Sequence, residues 1–149
     1  DGEGALLPPV IGAIAEIAAR HDISFADKQV VIIGAGHLVG APALLWVSGL
    51  GAQVQLVTKE TPAAESAATI AAADIIISGA GHPKLLQPEH IKDGVIIFDA
   101  GTSEDGGALA GDADPACADK AALFTPVPGG IGPITIAVLL RNLIALPRQ

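Results

Sequence analysis

Apolar positions along the chain switch repeatedly between a helical and a strand-like period. Val10, Ile11, Ile14, Ile17 and Ala18 recur at helical spacing behind Pro8 and Pro9, which suit a helix entry, and predict a helix over Val10–Arg20. Gln29–Ile33 is a β-branched run closed by Gly34, and Gly40–Val47 can continue as a helix behind a glycine-rich turn. The couplet then repeats. Gln53–Val57 predicts a strand, the alanine-rich Thr61–Ala73 a helix, and Asp74–Ser78 a strand closed by Gly79, Ala80 and Gly81. Pro88–Ile91 predicts a short helix, Val95–Phe98 a buried strand ending at Asp99, Leu123–Thr125 a short last strand and Pro133–Leu146 a closing helix. Thr102–Asp114, rich in Gly and Asp, predicts an exposed loop or hairpin.

Strands that are continuous apolar runs and alternate with helices imply a parallel sheet covered on both faces. The expected fold class is therefore α/β: a Rossmann-like, doubly wound, mainly parallel sheet with helices on both faces. The length of 149 residues suits one domain spanning 1–149. Half the residues are hydrophobic but only 3% are aromatic, so the core should be small and aliphatic.

Charge and cysteine usage narrow the setting. A net charge of −8 with no Lys/Arg cluster argues against nucleic acid and anionic lipid as partners. Cys117 stands alone and no basic segment precedes an apolar one at the N-terminus, which reads as cytoplasmic. The longest apolar stretch, Ile131–Leu146, is shorter than the roughly 20 residues that span a bilayer and contains Arg141 and Asn142, so it is expected to be a core helix. The chain begins at Asp1 and contains no methionine, so we expect it to be a fragment with a partner domain outside it.

Gly34-Ala35-Gly36-His37-Leu38-Val39-Gly40 follows the first predicted strand and opens a helix, the context in which G-x-G binds a pyrophosphate. Gly34 permits the tight turn, Gly36 lets backbone approach phosphate oxygens, and the helix N-terminus offers unpaired N–H groups. The last glycine falls one residue later than in G-x-G-x-x-G, so a structural strand-to-helix turn stands as the alternative. Cofactor type should be read at the end of the second strand, where an acid holds a ribose 2′-hydroxyl and a base accepts a 2′-phosphate. The sequence there is Thr58-Lys59-Glu60, in which Lys59 favours NADP and Glu60 favours NAD.

Pro126-Val127-Pro128-Gly129-Gly130-Ile131-Gly132-Pro133-Ile134-Thr135 resembles the PVPGGVGPMT signature of methylenetetrahydrofolate dehydrogenase/methenyltetrahydrofolate cyclohydrolases. Val39-Gly40-Ala41-Pro42 is similar to the family's VGKP turn, and Ala73-Asp74-Ile75, Asp99-Ala100-Gly101 and Gly111-Asp112-Ala113-Asp114 extend the resemblance in order along nearly the whole chain. The resemblance implies a C-terminal NAD(P)-binding domain whose cofactor is NADP, with NAD as the alternative. It places Gly34 to Gly40, including Ala35, Gly36, His37 and Val39, at the pyrophosphate. Thr58, Lys59 and Glu60 fall at the adenosine ribose, and Gly79, Ala80 and Gly81 at the nicotinamide-side ribose. Thr102, Gly132 and Thr135 fall at the nicotinamide end, where a tetrahydrofolate derivative would approach.

In that family an N-terminal domain carries the tyrosine and lysine that assist catalysis, and the enzyme is expected to be a homodimer. This chain has no tyrosine. No catalytic residue is therefore assigned to it, and alone it should bind without turnover. Two departures stand out: Gly34-Ala35-Gly36 replaces the family's GRS and its basic residue, and Thr58-Lys59-Glu60 replaces a common histidine, serine and arginine. A stand-alone dinucleotide-binding module and a Rossmann domain of another dehydrogenase remain as alternatives. His21, His82 and His90 read as surface or helix-end residues, no spacing suggests a metal site, and turn formation is the expected role of Asp99, Asp112 and Asp114.

Overall fold

The β-branched runs become strands, and at the centre of the sheet their side chains find apolar partners on both sides of the pleat. A computed structural model describes residues 6–145, and the expected ends at Asp1–Ala5 and Leu146–Gln149 lie outside the described residues. Strands β1 (Gln29–Ile33), β2 (Gln53–Val57), β3 (Ile75–Ser78), β4 (Ile96–Asp99) and β7 (Leu123–Phe124) form one parallel sheet in the order β2-β1-β3-β4-β7. Between β4 and β7 the chain makes a separate antiparallel hairpin, β5 (Ser103–Asp105) and β6 (Ala108–Ala110).

The period of two sorts the strand residues into two cores. Val30, Ile32, Ile75, Ile77 and Phe98 face α1 (Pro9–Arg20), α2 (Gly40–Ser48) and the start of α4 (Ile131–Ala145). Val31, Ile33, Ile76 and Ile97 face α3 (Ala63–Ala72) and two short 3-10 helices, Pro88–His90 and Pro115–Asp119. Helices cover both faces, as the pattern predicts. Phe98 is the largest fully buried side chain, and its ring stacks 6.3 Å from Phe25, so even the few aromatics serve the core.

Three expectations change. α4 begins at Ile131, so Gly132 and Pro133 lie in its first turn; a proline there removes only an N–H that has no intrahelical partner. Nor is α4 a core helix. Ile131 and Val138 are buried, whereas Ile136, Leu139, Leu140, Leu143 and Ile144 are exposed, because α4 rests on α1 along one face at Gly12 and Val138. Finally, only part of Thr102–Asp114 is exposed. The hairpin projects, but Gly111, Asp112 and Ala113 run back beneath the carboxyl ends of the strands and are buried.

Candidate functional site

The strand order reverses direction at β1: the chain steps to β2 on one side and returns to β3 on the other. A crevice opens at the carboxyl ends of strands where the winding reverses, because the two connections leave in opposite directions. The loops after β1 and β3 meet there. Gly34 N–H donates to Val57 O over 2.9 Å and Gly79 N–H donates to Ile33 O over 2.9 Å, which ties both loops to neighbouring strand ends. Gly34 has φ of 92°, and a Cβ on it would stand 2.9 Å from Gly79 O, so conformation and space both require glycine.

Gly36 differs in kind, since nothing lies within 4 Å of where its Cβ would be. Its missing side chain leaves backbone open to an incoming group. No side chain caps α2, whose second residue, Ala41, donates its N–H to Gly36 O over 3.0 Å. The positive end of this helix is thus available to an anion.

The crevice is a cleft of about 500 Å³ lined by Gly34, Ala35, Gly36, Thr58, Lys59, Glu60, Gly79 and Ala80, together with Ile33, Val57, Ser66, Ile70, His82 and Leu85. At its β2 end the Thr58 hydroxyl donates to Glu60 Oε2 over 2.7 Å and accepts the Glu60 N–H at 3.3 Å. The Thr58 hydrogen bond, with the backbone bond and Lys59, holds the Glu60 carboxyl below the usual carboxylate range.

Two buried carboxylates frame the other end. Asp112 Oδ2 accepts from Ser78 Oγ at 2.6 Å and from Ala80 N–H at 2.7 Å, while Oδ1 accepts from His82 N–H at 2.9 Å. Asp99 Oδ1 accepts from the N–H groups of Gly101 and Asp112 at 2.9 and 3.1 Å, and Oδ2 accepts from Ala113 N–H at 2.8 Å. The two acids therefore fasten the loop after β3 to the end of β4. Burial pushes the Asp99 carboxyl above its usual range, against the pull of the three N–H bonds. Beside Asp99 lies a second, apolar cavity of about 440 Å³, lined by Val10, Gly101, Thr102, Leu109, Val127–Gly129 and the first turns of α4.

The site residues expected from sequence thus separate. Gly34, Ala35, Gly36, Thr58, Lys59, Glu60, Gly79 and Ala80 come together in the first cleft, and Thr102, Gly132 and Thr135 in the second cavity. His37 and Gly81 are exposed and line neither; Val39 and Gly40 are buried and support the turn. Thr135 Oγ1 donates to Ile131 O over 3.0 Å, so its hydroxyl is spent within α4. Sequence reasoning missed Ser66, Ile70 and Leu85; His82, read as a surface residue, is exposed and also lines the first cleft. The turn reading holds for Asp114, which caps the 3-10 helix through Ala116 N–H, but not for Asp99 and Asp112, whose main partners lie far along the chain. Among the described residues no group of three or more His, Cys, Asp or Glu side chains could hold a metal ion.

Comparison with known proteins identifies the family. Residues 8–149 match the family model described as tetrahydrofolate dehydrogenase/cyclohydrolase, NAD(P)-binding domain. The bifunctional protein FolD of Mycoplasmopsis synoviae is 38% identical over 144 residues, covering 94% of this chain and 50% of that protein. That of Geobacillus kaustophilus is 38% identical over 150 residues, covering 99% and 52%. The FolD dehydrogenase/cyclohydrolase structure from Campylobacter jejuni superposes with a TM-score of 0.89 at 35% identity, over 95% of this chain and 50% of that one. The Trypanosoma brucei FolD structure, described as complexed with NADP cofactor and inhibitor, gives 0.86 at 34% identity over 93% and 49%. The chain spans about half the length of the relatives it matches. It belongs to the tetrahydrofolate dehydrogenase/cyclohydrolase family, as its NAD(P)-binding domain.

Proposed function

We propose that residues 1–149 supply the cofactor half of a bifunctional methylenetetrahydrofolate dehydrogenase/methenyltetrahydrofolate cyclohydrolase, completed by a folate-binding domain outside this chain. The observation that carries the reading is the cleft between the loops after β1 and β3, where backbone at Gly36 faces open space. A dinucleotide fits that cradle. Gly34 to Gly40 would hold its pyrophosphate through backbone N–H groups and the α2 dipole. Thr58, Lys59 and Glu60 would meet the adenosine ribose, and Gly79, Ala80 and Gly81 the second ribose. Thr102, Gly132 and Thr135 would border the nicotinamide, which when bound supplies a hydride acceptor. The 440 Å³ cavity beside them is apolar and opens next to Pro126–Gly129, which suits the approach of a tetrahydrofolate derivative.

Two exposed apolar regions fit the rest of the proposed assembly. The outer face of α4 would contact the folate domain, and Leu45, Leu50 and Leu56, exposed near β2 at the edge of the sheet, would lie in a homodimer contact. A cytoplasmic setting suits a single buried thiol, and no helix among the described residues is long and apolar enough to cross a membrane. Calorimetric titration of the chain with NAD⁺ and NADP⁺, run beside a methylenetetrahydrofolate oxidation assay, tests the proposal. Binding without turnover is expected. Turnover by this chain alone, or binding of neither nucleotide, would contradict it.

A further inference from the structure

We infer that the Thr58–Glu60 corner makes this domain select the dinucleotide that lacks a 2′-phosphate. The inference rests on the dinucleotide reading above and concerns the β2 end of the same cleft. Thr58 is the first residue past β2, where a Rossmann-like sheet brings side chains to the adenosine ribose. Its hydroxyl and the Glu60 carboxylate are joined at 2.7 Å, and the Glu60 N–H returns to the same hydroxyl at 3.3 Å. The carboxylate, 70% exposed, is therefore held at the rim of the cleft. An ionised carboxylate only accepts hydrogen bonds, which matches the two donors of a vicinal ribose diol. A phosphate is also an acceptor and carries nearly two negative charges, so against Glu60 it meets repulsion and no donor.

The positive charge at this corner is limited. Among the described residues, Lys59 is the only Lys or Arg that lines the cleft. Its side chain is 90% exposed, and its Nζ stands 3.9 Å from Glu60 Oε1, so one solvated ammonium is shared with a carboxylate. If Lys59 turned to a phosphate it would leave Glu60 facing that phosphate uncompensated. Lys84, on the loop after β3, is engaged by Asp105 at 3.0 Å. Among the described residues no arginine lines the cleft to offer the planar fork that holds phosphate with two bonds.

The test is calorimetric binding of NAD⁺ and NADP⁺ to the unmodified chain and to Glu60→Gln and Lys59→Gln, with thermal melts to confirm folding. At low salt NAD⁺ is expected to bind at least about tenfold tighter, with the gap narrowing as salt screens the carboxylate. Glu60→Gln should tighten NADP⁺ without tightening NAD⁺, and Lys59→Gln should weaken NADP⁺ further. Equal affinities, or tighter NADP⁺, overturn the inference and leave the dinucleotide reading standing. A preference for NAD⁺ that survives unchanged in Glu60→Gln removes the role given to this corner. Binding of neither nucleotide overturns the inference together with the functional proposal.

Discussion

The two ends of the parallel sheet use carboxylates in opposite ways. At the amino end, Asp74 accepts from Gln29 N–H at 2.8 Å and pairs with Lys92 Nζ at 2.6 Å, while Lys120 Nζ donates to Pro88 O and Ile91 O. Cations and anions meet there and close the surface. At the carboxyl end, Asp99 and Asp112 are buried and accept from backbone N–H groups and a serine. Among the described residues no cation stands among their hydrogen-bond partners, so the loops are fixed in place without filling the crevice. One end is finished by its own charges, whereas the other leaves backbone and a helix N-terminus open to the crevice.

The comparison breaks most easily at Asp112. Asp112→Ala strips the acceptor from Ser78 Oγ, Ala80 N–H and His82 N–H and should lower stability by about 3 kcal/mol, read from urea denaturation. Nucleotide affinity should fall with it. Gly36→Val separates binding from folding: its side chain enters open space, so the melting temperature should hold while nucleotide affinity drops by about tenfold or more. A parallel loss of stability would show that Gly36 serves packing.

At the amino end Asp74→Asn should cost less than about 1 kcal/mol at neutral pH, because both partners are partly solvated. The sign of its pH dependence follows from the cause. Lys92 lowers the Asp74 pKa, so the stability it adds is present above the ordinary carboxylate pKa, about 4, and is lost as pH falls through the lowered value. The gap between Asp74→Asn and the unmodified chain should therefore close in acid. Asp99 has the opposite sign: its raised pKa gives a contribution present below the ordinary value and lost as pH rises through the raised one. The smallest expected effect concerns Cys117, whose thiol burial pushes up to about 11; an alkylating reagent at neutral pH should label it only after unfolding.

The strands and most helices were legible because aliphatic runs of the right length, punctuated by glycine, leave few alternatives for a double-faced sheet. Gly34 was legible for the same reason, as the turn after β1 needs it, and Gly36 through the G-x-G spacing beside it. Asp112 was not. It sits in a Gly/Asp-rich stretch whose local chemistry spells a turn, whereas its buried side-chain partner, Ser78, lies 34 positions away. Its place in the Gly111–Asp114 string signalled family likeness but no contact. Ile70 and Leu85 reach the cleft from a helix and a loop that carry no motif, so only the packing reveals them. For α4 the misleading signal was composition: a mostly apolar helix reads as buried, yet its partner surface here covers one face only.

The claim that the carboxyl end alone is the nucleotide site is tested most directly by backbone amide chemical shifts of the ¹⁵N-labelled chain during titration with NAD⁺. The account predicts shifts concentrated in Gly34 to Gly40, Thr58 to Glu60 and Gly79 to His82, with the amides of Gln29, Asp74 and Lys92 unmoved. Shifts centred on the amino end, or none in the Gly34 to Gly40 turn while the nucleotide binds, would contradict it.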